Sequence, residues 1–240
     1  MSLYAIGDTH LSFGCCKPMN IFEGWHCYEE RLERSWRERV SEEDTVLLAG
    51  DISWGMNFEE ALPDFRFLHS LPGKKVIIKG NHDYWWTTRS KMDAFFAQNG
   101  LDSLVILHNN CVLTEDFALC GTRGWLFEKG QPQDKKVLAR EAGRLERSLQ
   151  AARDSGRETL VFLHYPPLYG EEASAPILDV LLRYGVKRVY YGHIHGAGRA
   201  WALNGECMGI RFRLISADQL GFCPELIEPS GQSFGQPGGF

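Results

Sequence analysis

No window of this chain approaches the roughly 20 uninterrupted apolar residues that a membrane-crossing helix requires. The first ten residues, MSLYAIGDTH, lack the basic segment and long apolar core of an export signal and enter an apolar strand at once. Runs of Lys and Arg are missing too. With 26 basic against 31 acidic side chains the net charge is −5, and a nucleic-acid polymer is not an expected partner. The seven cysteines (15, 16, 27, 111, 120, 207 and 223) include no CxxC pair, and their odd number fits no complete disulfide framework. Reduced thiols in a cytoplasmic protein are the expectation. No internal repeat and no linker divides the 240 residues, so a single domain with a sizeable core is expected over 1–240. The one biased stretch is the tail at 228–240, EPSGQSFGQPGGF, whose Gly, Pro, Ser and Gln content is that of a disordered segment.

What is present is an alternation of apolar runs and amphipathic stretches. Short continuous runs at 3–7, 45–49, 75–79, 104–107, 159–163 and 186–191 suit strands buried on both faces. A further strand is expected at 118–120. Asn57 precedes a helical pattern with apolar Phe58, Ala61, Leu62, Phe65 and Leu68, and Glu60 stands at the capping-box position. Ser90-x-x-Asp93 opens a second helix, and Leu138, Ala142, Leu145, Leu149 and Ala152 mark the inner face of a third. RAWALNGECMGIRFRLIS reads as a hairpin turning at Asn204-Gly205. Strands alternating with helices predict an α/β sandwich carrying sheet between helix layers.

Five of the apolar runs end alike, in residues that make poor strands and poor cores. The first is followed by Asp8-Thr9-His10, the second by Gly50-Asp51, the third by Gly80-Asn81-His82-Asp83. The fifth gives His164-Tyr165-Pro166-Pro167 and the sixth Gly192-His193-Ile194-His195. The carboxyl ends of strands in an α/β sheet line a common crevice, so segments far apart in the chain converge there. Asp, Asn and His are ligands for Mn²⁺, Fe²⁺ and Zn²⁺, and the absence of Cys from the set argues against a structural zinc site. Seven candidates, Asp8, His10, Asp51, Asn81, His164, His193 and His195, exceed what one ion with an open position can use. Two ions sharing a carboxylate fit the count, and ions roughly 3.5–4 Å apart can hold a bridging hydroxide for in-line displacement at phosphorus.

In this order DTH, GD, GNHD, HYPP and GHIH closely resemble the signature of the calcineurin-like metallophosphoesterases, over residues 8–195. The resemblance implies a four-layer αββα sandwich of two mixed β-sheets and hydrolysis of a small phosphate monoester or diester. It implies that Asp8, His10 and His195 bind one divalent ion, that Asn81, His164 and His193 bind the other, and that Asp51 bridges them. Mn is the first expectation for the metals, with Fe and Zn as further candidates. His82 is implied as the catalytic group that binds phosphate and protonates the leaving oxygen. A nucleotide or cyclic-nucleotide phosphodiesterase or a nuclease of the same family is an alternative, and association with further copies of the chain stays open. The protein-phosphatase branch carries an Asp-Arg pair after GD and reads GNHE. Here GDISWGMNFEE has no Arg before Arg66, and the motif ends in Asp83. The Tyr ligand of the purple phosphatases is also missing.

Two other classes compete. A mononuclear hydrolase of amide or ester bonds leaves Asn81 and His82 without roles, and a catalytically silent binding module does not need every ligand in place. Arg123, in GTRGW, suits either a phosphate oxygen or an ion pair. Trp54, Tyr84, Trp85, Trp86 and Trp125 crowd the motifs, and packing around the histidines is the expectation for them rather than base stacking. His26, His69 and His108 match no motif and read as surface or packing residues.

Overall fold

Strands too short and too apolar to leave either face in water need cover on both sides, and the chain supplies it with a second sheet and with helices. The computed structural model describes residues 1–125 and 134–229. In the first half, β1 (Leu3–Ile6), β2 (Thr45–Leu48), β3 (Lys74–Ile77) and β4 (Leu104–Ile106) lie parallel, each hydrogen-bonded to the next. The second sheet is built from β5 (Val112–Leu113), β6 (Phe117–Thr122) and β7 (Glu158–Leu163). After a small hairpin of β8 (Leu168–Tyr169) and β9 (Glu172–Ala173), it is completed by β10 (Arg188–Tyr191), β11 (Gly205–Cys207) and β12 (Ile210–Leu214). The last strand, β13 (Glu225–Ile227), returns to the first sheet and pairs antiparallel with β1, Leu3 opposite Ile227. The orders are β13-β1-β2-β3-β4 and β11-β12-β10-β7-β6-β5, both mixing parallel and antiparallel pairs.

Side-chain alternation along the strands divides the interior into three apolar layers. Leu3, Ala5, Leu47, Val76, Leu119, Leu160 and Phe162 meet between the sheets. On β1 the alternate residues Tyr4 and Ile6 point outward to α1 (Tyr28–Arg39), α2 (Phe58–Ser70) and α3 (Arg89–Gln98), which contribute Leu32, Trp36, Phe65 and Phe96. Val161, Leu163, Val189 and Tyr191 face α4 (Asp134–Ala152) and α5 (Ala175–Arg183) across the other outer layer, against Leu145, Leu149 and Leu181. Three apolar layers separate four structural ones, the αββα sandwich.

The capping signal at Asn57 is used. Its Oδ1 accepts the Glu60 N–H at 3.0 Å, and Glu60 reaches back to the Met56 N–H at 2.9 Å. Such a cap contributes about 1 kcal/mol. Two local expectations are corrected. The third helix begins at Arg89 after Thr88, so Ser90 lies inside its first turn and does not cap it. The hairpin of β11 and β12 turns at Met208-Gly209, both at positive φ (52° and 71°), with Cys207 opposite Ile210. Asn204 serves elsewhere, its Oδ1 accepting the Leu214 N–H at 2.9 Å. Residues 230–240, most of the Gly- and Pro-rich tail, lie outside the described residues. All seven cysteines are free thiols, and among the described residues no helix is long and apolar enough to cross a membrane.

Candidate metal centre

Each motif occupies the loop just past a strand's carboxyl end, and the loops are stitched to one another. Asp8 N–H donates to Gly50 O (2.9 Å) and His10 N–H to Asp51 O (2.9 Å), which joins the loop after β1 to that after β2. His193 N–H donates to both carboxylate oxygens of Asp8 at 3.0 Å, bringing the loop after β10 across from the other sheet. These crossings leave no space for side chains at two glycines. A Cβ on Gly80 would strike the Asp51 carboxylate and backbone, and one on Gly192 would strike the Asp8 carboxylate. Four candidate ligands, Asp8, His10, Asp51 and His193, hold left-handed backbone at φ of 59°, 45°, 51° and 73°. Such conformations cost about 1–2 kcal/mol per non-glycine residue and persist where the surroundings over-determine them.

The result is two groups of donors. Asp8, His10 and His195 present ligand atoms within 4.8 Å of one another, and Asp51, His164 and His193 do the same. Asn81 joins the second group, its Oδ1 2.6 Å from His164 Nε2. Asp51 Oδ2 lies between the groups, 3.7 Å from His10 Nε2 and 3.6 Å from His164 Nε2. Thus all seven sequence candidates come together. His82 belongs to neither group. Its ring lies 4.4 Å from Trp54 and 5.9 Å from His10, its Nδ1 is 3.3 Å from Tyr84 Oη, and its backbone N–H donates to Asp51 Oδ1 at 2.7 Å.

Hydrogen bonding shows whether these residues suit a cation. His195 Nδ1 lies 2.9 Å from the Asp218 carboxylate, which fixes the ring. The opposite atom, Nε2, is buried with no hydrogen-bond partner among the described residues and faces Asp8 Oδ1 at 3.5 Å. His164 Nδ1 is 3.1 Å from Ala49 O, a carbonyl that can only accept, so its Nε2 turns a lone pair towards Asn81 Oδ1 and Asp51 Oδ2. Lone pairs converging from oxygen and imidazole donors, with no thiolate, are a set for divalent cations. His10 Nδ1 is likewise buried and unpartnered among the described residues.

The titration of the cluster points the same way. Burial, then the Asp8 charge, pushes the Asp51 carboxyl up to about 8. Burial opposes a charge on His195, yet Asp8 and Asp218 together raise it to about 10. For Asp8 burial is outweighed by His195 and its neighbours, and the carboxyl lies well below its ordinary value. Burial, then the His164 charge, pushes His193 down to about 3. The cluster therefore balances its buried carboxylates with protons, a role that a cation can take over.

Two functional residues lay outside the sequence reading. Asp218 orients His195 and also accepts the Gly196 N–H at 3.0 Å. Asp83 is wholly buried and accepts N–H groups of Gly80, Asp51 and Ile52 at 2.7, 3.0 and 2.8 Å, so it clamps two ligand loops together. Asp83 ends the GNHD motif and was visible there; a lone Asp218 carries no spacing signal. The aromatic residues divide. Trp54 stacks on His10 at 4.9 Å, and Trp25, not singled out in the sequence, sets its edge against His10 and His195 at 5.8 and 5.6 Å. Trp85 is core, packed on Phe65 with its indole N–H on Asp83, while Tyr84 stands exposed.

A family model described as calcineurin-like phosphoesterase matches residues 1–197. No curated protein matches the chain. Among solved structures, a protein of unknown function from Aquifex aeolicus, AQ665, is similar at 15% identity over 94% of this chain and 95% of that one, with a TM-score of 0.50. The protein TT1561 of Thermus thermophilus is similar at 11% identity over 80% and 81%, with a TM-score of 0.52. At such identities the likeness is one of fold.

Proposed function

This chain belongs to the calcineurin-like phosphoesterase family, and from that premise we propose that it is a dinuclear metal-dependent phosphoesterase hydrolysing a small phosphate monoester or diester. The observation that carries the reading is Asp51 Oδ2, which stands within 3.7 Å of a histidine from each donor group. Asp8, His10 and His195 would hold one ion, and Asn81, His164 and His193 the other, with Asp51 shared. The ions would neutralise phosphoryl oxygens and lower the pKa of water to give a nucleophile near neutral pH. The protein's own part is to hold that centre rigid and dry on one side. Asp218 fixes the His195 ring, Asp83 clamps the loops, and Trp54 and Trp25 close the flank. His82 sits beside the pair, where its ring can bind phosphate and give a proton to the departing oxygen.

Mn²⁺ is the proposed activator, since the donors are oxygen and nitrogen without sulfur. Elemental analysis after loading with Mn²⁺ is expected to give two ions per chain, and a plateau at one would remove the dinuclear reading. Loading should also release protons. At pH 7 Asp51, at about 8, and His195, at about 10, each hold one. Binding is therefore expected to release roughly two protons per chain from these ligands, besides any from an ionised water, and to weaken as the pH falls. Calorimetry in buffers of different ionisation enthalpy measures the number, and no release would contradict these ligand assignments.

A nucleotide or cyclic-nucleotide diester is the second reading. Trp54 and the exposed Tyr84 flank His82, with Lys17 Nζ 5.1 Å and 5.6 Å from their ring centres, and such a surface can stack a base. A screen of the Mn²⁺-loaded enzyme against nucleotides, cyclic nucleotides, sugar phosphates and aryl diesters separates the two readings.

A further inference from the structure

A second polar cleft of about 350 Å³ opens at the same carboxyl-end edge of the sheets, lined by none of the seven donor residues. Its walls come from the ends of three strands and from two helices. Lys79 follows β3, His108 follows β4, and Arg123 follows β6; Thr88 stands at the start of α3, and α4 contributes Glu141 and Arg144. Against three cations there is one carboxylate, a local excess of two positive charges (3 − 1) in a protein whose net charge is −5. That carboxylate is fully committed. Glu141 is wholly buried and accepts from Thr122 Oγ1 at 2.6 Å and from Arg144 Nη1 at 2.5 Å, with Arg123 Nη2 at 3.6 Å.

Glu141 thus holds two guanidinium groups side by side without exhausting their donors. Arg123 Nε is buried with no hydrogen-bond partner among the described residues. Lys79 forms no ion pair among them. Thr88, in the cap position of α3, makes no capping hydrogen bond, which leaves its hydroxyl free at the positive end of a ten-residue helix. Unused donors on a planar fork, an ammonium group and a hydroxyl beside a helix start are the elements that recognise a tetrahedral phosphate. Burial, then Arg144, pushes the neighbouring His108 down to about 4, in keeping with a positive field in the cleft.

We propose that this cleft binds a phosphate group, separate from the phosphate at the metal centre. The two places are joined by short paths through the backbone and its hydrogen bonds. Lys79 lies two residues before Asn81, and Arg123 O accepts the N–H groups of His164 and Tyr165 at 3.1 and 2.8 Å. A ligand with two phosphates can therefore engage both, and the substrate class becomes a phosphate ester bearing a second phosphate; this step rests on the function proposed above. Free inorganic phosphate is the other source of the same chemistry.

The first arm of the test needs no metal. Inorganic phosphate is titrated calorimetrically into chelator-stripped protein, into Arg144→Gln and Lys79→Gln, and into His193→Ala. The wild type is expected to bind phosphate at one saturable site, weakened at least tenfold in the first two variants and unchanged in the third. Absence of saturable binding, or a loss in His193→Ala alone, overturns the proposal. Arg144→Lys keeps the charge and should restore most of the affinity, which separates lost recognition from a damaged fold. The second arm compares a monophosphate ester with a bisphosphate ester on the Mn²⁺-loaded enzyme. If the cleft holds the substrate's second phosphate, Arg144→Gln lowers kcat/KM for the bisphosphate at least tenfold more than for the monophosphate. If free phosphate is the ligand, the two esters lose equally, and millimolar phosphate alters the rate of the wild type more than that of the variant. An enzyme inert to all esters would remove the proposed function and leave the calorimetric result standing.

Discussion

Asp51→Asn is expected to strip both ions from the protein, whereas Asp8→Asn should chiefly empty one place. Asp51 Oδ2 faces the Nε2 atom of a histidine in each donor group, 3.7 Å from His10 and 3.6 Å from His164. Its partner Oδ1 is occupied with the His82 N–H at 2.7 Å, so the carboxylate cannot turn to compensate. An amide there keeps the shape but loses the negative charge shared by two dications. Altering groups that merely orient metal ligands costs 10–100-fold in affinity. Losing a shared ligand charge should cost about 100-fold or more at each place, by the same scale. Asp8 Oδ1 is 3.5 Å from His195 Nε2 in its own group, and its 3.6 Å approach to His164 is to Nδ1, the nitrogen turned to Ala49 O. Its amide should therefore spare the affinity of the Asn81, His164 and His193 place to within about tenfold on that scale. Asp8 also accepts the His193 N–H on both oxygens, so near-ultraviolet circular dichroism must first show that each variant is folded. Isothermal titration with Mn²⁺ then resolves the two steps, and equal losses in both variants would contradict a bridging role for Asp51.

His82→Ala is expected to slow alkyl phosphate esters by ~10²–10⁴ and nitrophenyl esters by far less, with metal content nearly unchanged. The ring belongs to neither donor group; it stands 5.9 Å from the His10 ring and is held by Trp54 at 4.4 Å and by Tyr84 Oη, so its removal should leave all seven candidate ligands in place. An alkoxide needs a proton as it departs, while a nitrophenolate is already stable as an anion. Burial first, and the His164 charge next, lower the pKa of His82 below the ordinary histidine value. This makes the imidazolium a stronger acid but a less populated one. The rate on alkyl esters should accordingly fall as the pH rises through that lowered value, and the variant should lose this limb of the profile. Equal slowing of both ester types with the metals retained would make His82 a phosphate-binding group and not the acid.

The parts of the site that the sequence displays are those that sit directly after strands. Asp8, Asp51, Asn81, His164 and His193 each follow an apolar run and a glycine or a strand end, and a loop at that position can face only the common edge. Second supports are hidden because they belong to other loops. Asp218 lies beyond β12, and only the folded chain brings its carboxylate to 2.9 Å from His195. The fold shows a similar division. Layer order follows from strand–helix alternation, but the place of the second hairpin turn does not. Asn204-Gly205 is the stronger turn signal, yet Asn204 is needed as an acceptor for Leu214, and the weaker Met208-Gly209 turns instead. Eight of the twelve residues of α1 are charged, and its inner face is only Tyr28, Leu32 and Trp36 at steps of four. The aromatic residues were legible as packing at Trp54 and Trp85. The pairing of Arg123 with Glu141 depends on α4, more than a dozen residues further along.

The antiparallel pairing of β1 with β13 has a consequence for how the chain is made. A ribosome releases Leu3 some 222 residues (225 − 3) before Glu225, the first residue of the strand that covers it. At roughly 5–20 residues per second, the outer edge of β1 waits on the order of 10 to 40 seconds for its neighbour. During that interval a row of unpaired backbone groups on the apolar segment Leu3–Ile6 is open to any other nascent strand. His193 and His195 are also still unmade for most of it, so neither candidate donor group is complete early. Strand β13 thus acts, once made, as the closing stitch that removes a sticky edge, and a chain lacking it would keep that edge exposed.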